Sequence, residues 1–180
     1  DALVGPGWKG EVWVLVRPET FPVTARPGIA LTQLRFFNGK SFLDKLSLEL
    51  ALEKPGLFFT PSGKQLRAGA REHGDSFLLT IGLPRGVAGW ECIRATEVLD
   101  LGRKNFYRPE NFFRPVYVRN GKLDLVRGGH YILTTFEHLR IPPDCAAELR
   151  AIDPRFGEFR SHSAGFFDPW WGMKSKGQPI

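Results

Sequence analysis

The sequence predicts a mainly β protein built from short strands, and two features carry this prediction. Twenty glycines and 14 prolines divide the 180 residues into short apolar runs, each bounded by turn-forming residues. Hydrophobic residues make up 42% of the chain and charged residues 24%, which is typical of an ordered globular protein with a substantial core. We therefore expect many short strands and little helix.

The apolar runs predict the strands in chain order. The first run follows the turn GPGWKG, and the Pro-Gly step inside residues 21–37 predicts an antiparallel hairpin. Residues 46–53, LSLELALE, fit either a helical turn or an edge strand, and the pattern leaves both open. The predicted strands lie within residues 11–16, 21–37, 76–83, 89–95, 112–118, 122–126 and 130–141.

One short helix is predicted at residues 142–151, PPDCAAELRA. Its two prolines suit a first helical turn, and Asp144 can cap the first free N–H groups. Alanine and leucine follow at suitable positions. After it, residues 159–172 are predicted to form a strand that ends in a turn at Asp168-Pro169.

Charge and cysteine content limit the partners and the metal sites. The net charge is +6 and the pI about 9.6, which favours a polyanion such as a nucleotide or a nucleic acid, although the basic residues are scattered and a merely basic surface stays open. Two cysteines without a CxxC motif or a Cys/His cluster argue against a zinc site and fit a reducing cytoplasm. No apolar run is long enough to span a membrane, so we expect a cytoplasmic protein.

Two groups of polar residues are candidates for ligand binding. Arg150 and Arg155 flank a turn and could hold a polyphosphate through their planar donor forks, or could pair with neighbouring carboxylates. Asp168, at a strand end, could cap its own turn through the backbone, accept a hydrogen bond from a sugar hydroxyl or orient a water. The aromatic residues around it are expected to be mostly core or interface: Phe166, Phe167, Trp170 and Trp171.

The order of these motifs resembles a known family. GGHYILTTFEHLRIPPDCAAELRA, then Arg155-Phe156-Gly157, then AGFFDPWWG is similar to the dCTP (2'-deoxycytidine 5'-triphosphate) deaminase branch of the dUTPase-like family. The upstream segment PGWKGEVWVLVRPETFPVTARPGIALTQLRF resembles the other end of the same module. The arrangement is most similar to the long, two-repeat bacterial dCTP deaminases.

The resemblance implies a fold and a domain organisation. The expected fold is a dUTPase-like (β-clip) distorted barrel of short strands with one short helix, incomplete at both ends. Residues 1–40 would be the C-terminal part of a first repeat, 41–75 a connecting segment, and 76–180 the N-terminal two-thirds of a second repeat. Family sites form between subunits or repeats, so a homo-oligomer or a repeat–repeat assembly is expected.

The resemblance also implies the site residues. Asp168 matches the aspartate that holds the deoxyribose 3'-hydroxyl, and Ser163, Ala164 and Gly165 match the strand whose backbone contacts the base. Ala151 replaces the family's serine, which removes a hydroxyl contact at that position. The phosphate segment falls on Arg150, Ala151, Ile152, Asp153, Pro154 and Arg155, and Arg155 and Asp168 are the expected catalytic residues.

The expected reaction is zinc-independent hydrolytic deamination of dCTP to dUTP and ammonia, with Mg²⁺ carried on the triphosphate. Leu15 occupies the position of the proton-shuttling glutamate in the first repeat, and in the second this residue is expected beyond Ile180. The 180-residue chain by itself is therefore expected to have little activity. Two alternatives remain open: a dUTP diphosphatase with the same fold, and a basic, non-catalytic nucleic-acid-binding module. No membrane partner is expected.

Overall fold

A computed structural model describes residues 4–32, 34–37, 39, 41–66, 72–73, 76–95, 97–149 and 165–180. It contains one α-helix, one short 3₁₀ helix and twelve short strands in this part of the chain. The helices are α1 (Lys45–Glu53) and the 3₁₀ turn Pro109–Asn111. The strands are β1 (Val23–Thr24), β2 (Phe58–Phe59), β3 (Glu72–His73), β4 (Ser76–Phe77), β5 (Val87–Cys92), β6 (Leu99–Asp100), β7 (Phe113–Tyr117), β8 (Tyr131–Leu133), β9 (His138–Leu139), β10 (Ala147–Leu149), β11 (Gly165–Phe167) and β12 (Gln178–Pro179).

The strands form several small sheets, which confirms the mainly β prediction. β5 is the centre of one sheet, with β7 and β8 antiparallel on either side of it. β9 is the centre of another, between β2 and β12. β10 and β11 form an antiparallel pair of their own. Over the described residues these sheets do not close into a barrel, and no helix is long and apolar enough to cross a membrane.

An apolar cluster joins the helix to the strands around β9 and β11. Its buried members come from α1, from the segment before β2, from β9 and the residues after it, and from β11: Leu52, Leu57, Leu139, Ile141 and Phe167. The segment predicted as a connection therefore contributes a helix and a strand to the core. This places the core directly beneath the strand that leads to Asp168.

Residues 46–53, where the pattern left helix and strand open, lie in the helix α1. Asp44 caps its start, because its carboxylate accepts a hydrogen bond from the Ser47 N–H at 2.8 Å. Leu48 and Leu52 lie four positions apart and face the core, while Leu50 is 60% exposed. Pro55 follows one residue after the C-cap, and a proline there cannot continue a helix.

The helix predicted at residues 142–151 is wrong. Residues 143–144 form a turn, in which the Cys145 N–H donates to the Pro142 carbonyl at 3.1 Å, and residues 147–149 form β10. Ala147 and Leu149 pack against the core cluster. Backbone pairing with β11 and this burial outweigh the helical preference of alanine and leucine.

Two predicted strands near the N-terminus are also wrong for the residues that the structure describes. Residues 11–16 form no strand, and Trp13 and Leu15 are 87% and 95% exposed. The turn at residues 27–28 is present, yet β1 pairs in parallel with β6 rather than with the residues after the turn. No strand forms at residues 122–126 either.

The other strand predictions are confirmed in part. β5 and β7 match the runs at 89–95 and 112–118, and β4 covers only the start of the run at 76–83. The run at 130–141 is split into β8 and β9 by a bend at residues 136–137. The bend buries Glu137, whose carboxylate accepts hydrogen bonds from the Thr80 N–H at 2.9 Å and the Thr80 hydroxyl at 2.8 Å.

The segment around β1 is anchored to the rest of the protein. The Phe21 ring makes edge-to-face contacts with Phe112 and Phe113, at centroid distances of 5.1 and 5.4 Å. Arg26 donates to the Asp100 carboxylate at 2.9 Å, beside the β1–β6 pairing. Residues 21–26 therefore bind to the body of the protein, although the apolar run before them is exposed.

An ion pair across β5 and β7 makes stability depend on pH. The Arg114 guanidinium donates to Glu91 at 2.6 Å, and this hydrogen bond lowers the pKa of the Glu91 carboxyl. A lowered pKa means that the pair stabilises the fold above the ordinary glutamate pKa of about 4, and that this contribution is lost as the pH falls through the lowered value. The substitution Glu91→Gln is expected to lower Tm at neutral pH. Thermal melts in acid should show the difference from the unchanged protein shrinking; a constant difference contradicts the assignment.

Candidate functional site

Asp168 lies immediately after β11, at the point where the strand leaves the core. Phe167 before it is only 6% exposed and belongs to the core cluster, whereas Asp168 itself is exposed. β11 is held by antiparallel pairing with β10, in which Phe166 opposes Glu148 and Gly165 opposes Leu149. A paired strand with a buried last residue thus fixes the position of the carboxylate.

The turn that carries Asp168 is hydrogen bonded to the residue after β9. The Trp170 N–H donates to the Ile141 carbonyl at 3.1 Å, and the Ile141 N–H donates to the Trp171 carbonyl at 2.9 Å. Trp170 adopts a positive φ of 74°, an uncommon conformation for a residue with a side chain. Since Ile141 is buried in the core, these two bonds attach the turn to the core cluster.

The main chain, and not the carboxylate, closes this turn. The Trp171 N–H donates to the backbone carbonyl of Asp168 at 3.2 Å. Within the described part of the chain, no donor forms a hydrogen bond or ion pair with the Asp168 side chain. Among the described residues the Asp168 side chain therefore does not cap its own turn, contrary to that interpretation. The carboxylate is available to a ligand.

Residues 172–177, which follow the Asp168 turn, are held in place by hydrogen bonds of Ser175 and Arg140. The Ser175 hydroxyl donates to the carbonyl oxygens of Gly172 and Gly177, at 3.2 and 2.9 Å. Arg140 donates to the Ser175 carbonyl at 2.8 Å, and its guanidinium lies 4.2 Å from the centre of the Phe59 ring. These contacts hold residues 172–177 against β9 and β2.

A shallow, open cavity of about 290 Å³ lies over the turn. One carboxylate, one ammonium group and two indole rings surround it, which suits a ligand with both polar and flat apolar parts. The tryptophans are 63% and 37% exposed, so of the aromatics expected to be core or interface, Phe167 lies in the core and Trp170 does not. The cavity is lined by Asp168, Pro169, Trp170, Trp171, Gly172, Lys174 and Gln178.

Lys174 and Gln178 were missed by the reasoning from sequence. Neither belongs to a motif, and they reach the cavity only because the chain folds back after Gly172 to form β12 beside β9. Their proximity in sequence to the Asp-Pro turn was the only available signal. Together with Asp168 they give the cavity both hydrogen-bond donors and acceptors.

Most of the predicted phosphate and base contacts lie outside the described residues. Of the predicted site, Gly165 and Asp168 are described, and Gly165 is the Cα partner of Leu149, the residue directly before the predicted phosphate segment. Among the residues that are described, no group of three or more His, Cys, Asp or Glu side chains could hold a metal ion. The predicted positions outside the description are Arg150, Ala151, Ile152, Asp153, Pro154, Arg155, Ser163 and Ala164.

Comparisons with known proteins identify the family. Residues 62–179 match the family described as 2'-deoxycytidine 5'-triphosphate deaminase (DCD), C-terminal domain, and residues 2–40 match its N-terminal domain. The structure is similar to the crystal structure of 2'-deoxycytidine 5'-triphosphate deaminase from Agrobacterium tumefaciens, with a TM-score of 0.65 and 29% identity over 79% of this chain.

The match covers 41% of the Agrobacterium chain, so the present chain spans less than half of that relative. A search of curated proteins found no match. The structural similarity supports the prediction that this mainly β chain has a dUTPase-like fold. Because the C-terminal family match alone covers well over half of its residues, this chain belongs to the 2'-deoxycytidine 5'-triphosphate deaminase family.

Proposed function

We propose that this chain carries the nucleotide-binding part of a dCTP deaminase, an enzyme that converts dCTP to dUTP and ammonia by hydrolysis without zinc. The observation that carries the proposal is the Asp168 carboxylate, which is exposed, without a partner among the described residues, and fixed by a buried strand end and two bonds to Ile141. The family match adds the substrate class.

In this proposal Asp168 accepts a hydrogen bond from the 3'-hydroxyl of the deoxyribose. The backbone of Ser163, Ala164 and Gly165 contacts the base, and the guanidinium groups of Arg150 and Arg155 bind the triphosphate, which brings Mg²⁺ with it as part of the substrate. Ala151 contributes no hydroxyl at its position. The support for this arrangement is the register of β10 and β11, which pairs Leu149, directly before the phosphate segment, with Gly165.

The chemical step in this proposal is the addition of water to C4 of cytosine. A carboxylate removes one proton from the water and passes it to the exocyclic amino group, which leaves as ammonia, while the second proton of the water moves to N3 of the ring and C4 becomes a carbonyl. We assign this proton transfer to no described carboxylate of the chain. Nucleotide binding, rather than turnover, is therefore the first measurement to make on this chain.

We further propose that the site is completed by an assembly, either of two repeats or of two or more copies. The support is the apolar run before residue 17, where side chains as large as Trp13 and Leu15 are almost fully exposed and need a cover. In this scheme residues 1–40 and 76–180 belong to two repeats joined by residues 41–75. We also propose that the protein acts in the cytoplasm, in keeping with its two free cysteines.

The substitution Asp168→Asn is expected to weaken dCTP binding about tenfold to a hundredfold, because it replaces the charged acceptor of the hydrogen bond from the sugar by a neutral one. Isothermal titration calorimetry with dCTP and Mg²⁺ measures this directly. With 2',3'-dideoxycytidine triphosphate, which lacks the 3'-hydroxyl, the unchanged protein and the variant should bind alike. Asp124→Asn, at another exposed aspartate, is the matched control and should leave dCTP binding unchanged. If Asp168→Asn loses the same factor of affinity for dCTP and for the dideoxy nucleotide, Asp168 does not bind the 3'-hydroxyl.

Two assays separate the proposal from its alternatives. Ammonia released from dCTP by a complete assembly indicates a deaminase, whereas dUMP and pyrophosphate from dUTP indicate a dUTP diphosphatase. Salt-sensitive binding of oligonucleotides that dCTP does not displace would indicate a nucleic-acid-binding module instead. The match to a dCTP deaminase family over residues 62–179 favours the first of these outcomes.

A further inference from the structure

Trp170 occupies a backbone position that usually holds a glycine. Residues 168–171 form a turn with a proline at the second position and a φ of 74° at the third. The N–H of the fourth residue donates to the carbonyl of the first at 3.2 Å. These are the features of a type II turn, whose third residue is normally glycine or asparagine because its φ is positive. A tryptophan there is held in a conformation that its Cβ atom makes costly.

The other described residues with positive φ follow the usual pattern. They are ten glycines and two asparagines, Asn105 and Asn120. Asparagine tolerates this region because its short polar side chain can form a local hydrogen bond with the backbone. An indole has no such compensation. Within the described part of the chain, Trp170 is therefore the exception.

Two hydrogen bonds hold the strained residue in place. The Trp170 N–H donates to the carbonyl of the buried Ile141 at 3.1 Å, and the Trp170 carbonyl accepts from the Met173 N–H at 3.1 Å. A strained residue persists where the surrounding structure fixes it, and such residues are concentrated at ligand sites. Trp170 also lines the cavity over Asp168, so the strain lies in the wall of the candidate site.

Packing within the protein does not explain the tryptophan. Its side chain is 63% exposed, and among the described residues no aromatic ring or cation stacks on it. Trp171 differs, because its ring makes an edge-to-face contact with the core residue Phe167 at a centroid distance of 5.3 Å. One tryptophan of the pair thus supports the turn, and the other presents its indole to the cavity.

The chemistry of the cavity wall indicates which part of a ligand the indole would meet. The charged groups of the wall are the Asp168 carboxylate and the Lys174 ammonium group. Trp170 offers a flat apolar face and a single N–H donor, which suits the face of a sugar or a base better than a phosphate. A phosphate beside Trp170 would also lie close to the Asp168 carboxylate, two residues away, and would be repelled by it.

We propose that the nucleoside part of the ligand stacks on the Trp170 indole, and that this contact accounts for a tryptophan at a glycine-type position. The inference rests on the proposed function, in which Asp168 binds the sugar hydroxyl, and adds Trp170 as a residue that determines affinity. It follows that the indole contributes to ligand binding and that its backbone conformation lowers stability. A residue kept for packing would have the opposite effect on stability.

Three substitutions of Trp170 separate the indole from the backbone. Trp170→Gly and Trp170→Ala both remove the indole, and each is expected to weaken dCTP binding about fivefold to a hundredfold, the usual effect of losing a stack between a base and an aromatic ring. Only glycine relieves the strain, so Trp170→Gly should melt about 2–4 °C above Trp170→Ala and no lower than the unchanged chain. Trp170→Phe keeps an aromatic face and should retain most of the affinity. Calorimetric titration with dCTP and Mg²⁺ and thermal melts measure these effects.

Two controls accompany these variants. Asn120→Gly makes the same kind of backbone change at a φ of 50°, at a residue that does not line the cavity, and should leave dCTP binding unchanged. Deoxycytidine, followed by ligand-observed NMR, should lose the same factor of affinity as dCTP when Trp170 becomes glycine. The reason is that the stack involves the nucleoside and not the triphosphate.

Each outcome decides the question. Equal binding of dCTP by Trp170→Gly and the unchanged chain overturns the inference and leaves the proposed function standing. A loss for dCTP without a loss for deoxycytidine also overturns it, since the indole would then act on the triphosphate. If light scattering shows that Trp170→Gly loses a self-association of the unchanged chain, the indole belongs to an interface between copies, and the inference is again wrong. If the unchanged chain binds neither ligand, the proposed function fails and the inference fails with it.

Discussion

Replacing Gly172 with alanine is expected to destabilise the protein by about 3–5 kcal/mol, through the combination of backbone strain and a steric overlap. Gly172 has a φ of +68°, in the left-handed region that costs a residue with a side chain about 1–2 kcal/mol. A Cβ atom at this position would overlap the carbonyl oxygen of Leu139 and would lie 3.0 Å from the Gln178 N. Both neighbours are backbone atoms of paired strands, so neither can move aside cheaply.

The overlap has a consequence for the site as well as for stability. Leu139 is a core residue of β9 and pairs with both β2 and β12, and Gly172 follows directly on the turn that carries Asp168. Relief of the overlap requires the turn to move away from β9. We therefore expect Gly172→Ala to lose dCTP binding along with stability, even at temperatures where the variant remains folded.

Gly121→Ala is the matched control for Gly172→Ala. Gly121 has nearly the same φ, +71°, but an added Cβ atom would meet nothing within 4 Å. Its alanine variant should lose only the conformational contribution of about 1–2 kcal/mol and should bind dCTP normally. Urea unfolding followed by circular dichroism measures both variants. Equal destabilisation of the two would show that the close packing of Gly172 on β9 does not contribute.

Truncating Leu52 to alanine is expected to destabilise the protein by about 3 kcal/mol, because it leaves a cavity in the core. Leu52 is 2% exposed and packs with Leu139, Ile141 and Phe167, the residues that support the Asp168 turn. Leu50→Ala, in the same helix at a position 60% exposed, removes the same atoms from the surface and should change stability by less than about 0.5 kcal/mol.

The Leu52 experiment also tests how residues 41–75 take part in the fold. If the segment were only a connection, both leucine variants would have nearly the same free energy of unfolding in urea as the unchanged protein. A large effect confined to Leu52 would establish that α1 and the strands around β9 unfold together. The helix would then belong to the same cooperative unit as the candidate site.

The fold was predictable where local patterns and tertiary pairing agree. The runs that became β5 and β7 are bounded by turn residues and pair with each other, so the local pattern and the sheet give the same result. The prediction failed at residues 142–151, where a helix-favouring composition was overruled by pairing with β11, whose sequence position is distant. Residues 11–16 have the composition of a buried strand but have no partner within the described chain.

The sequence singled out Asp168 as the centre of the candidate site, but not the residues after Gly172 that line the cavity with it. Asp168 was chosen because an aspartate before a proline at a strand end has few roles. The resemblance to a deaminase family implies one of them, the contact with the deoxyribose 3'-hydroxyl. Whether its carboxylate capped the turn depended on the bonds from Trp171 to the backbone and from Trp170 to Ile141, which no local pattern encodes. Lys174 and Gln178 approach this region through a chain reversal.

The sequence by itself determined the mainly β class and the family, since these depend on local turn-forming residues and on the order of motifs, and it singled out the Asp168 turn as the candidate site. Only the tertiary structure decided where the helix forms and which side chains line the cavity. The physical reason is that backbone pairing and burial between distant segments contribute more free energy than the local preferences of a few residues, and the sequence of one segment does not specify its partner.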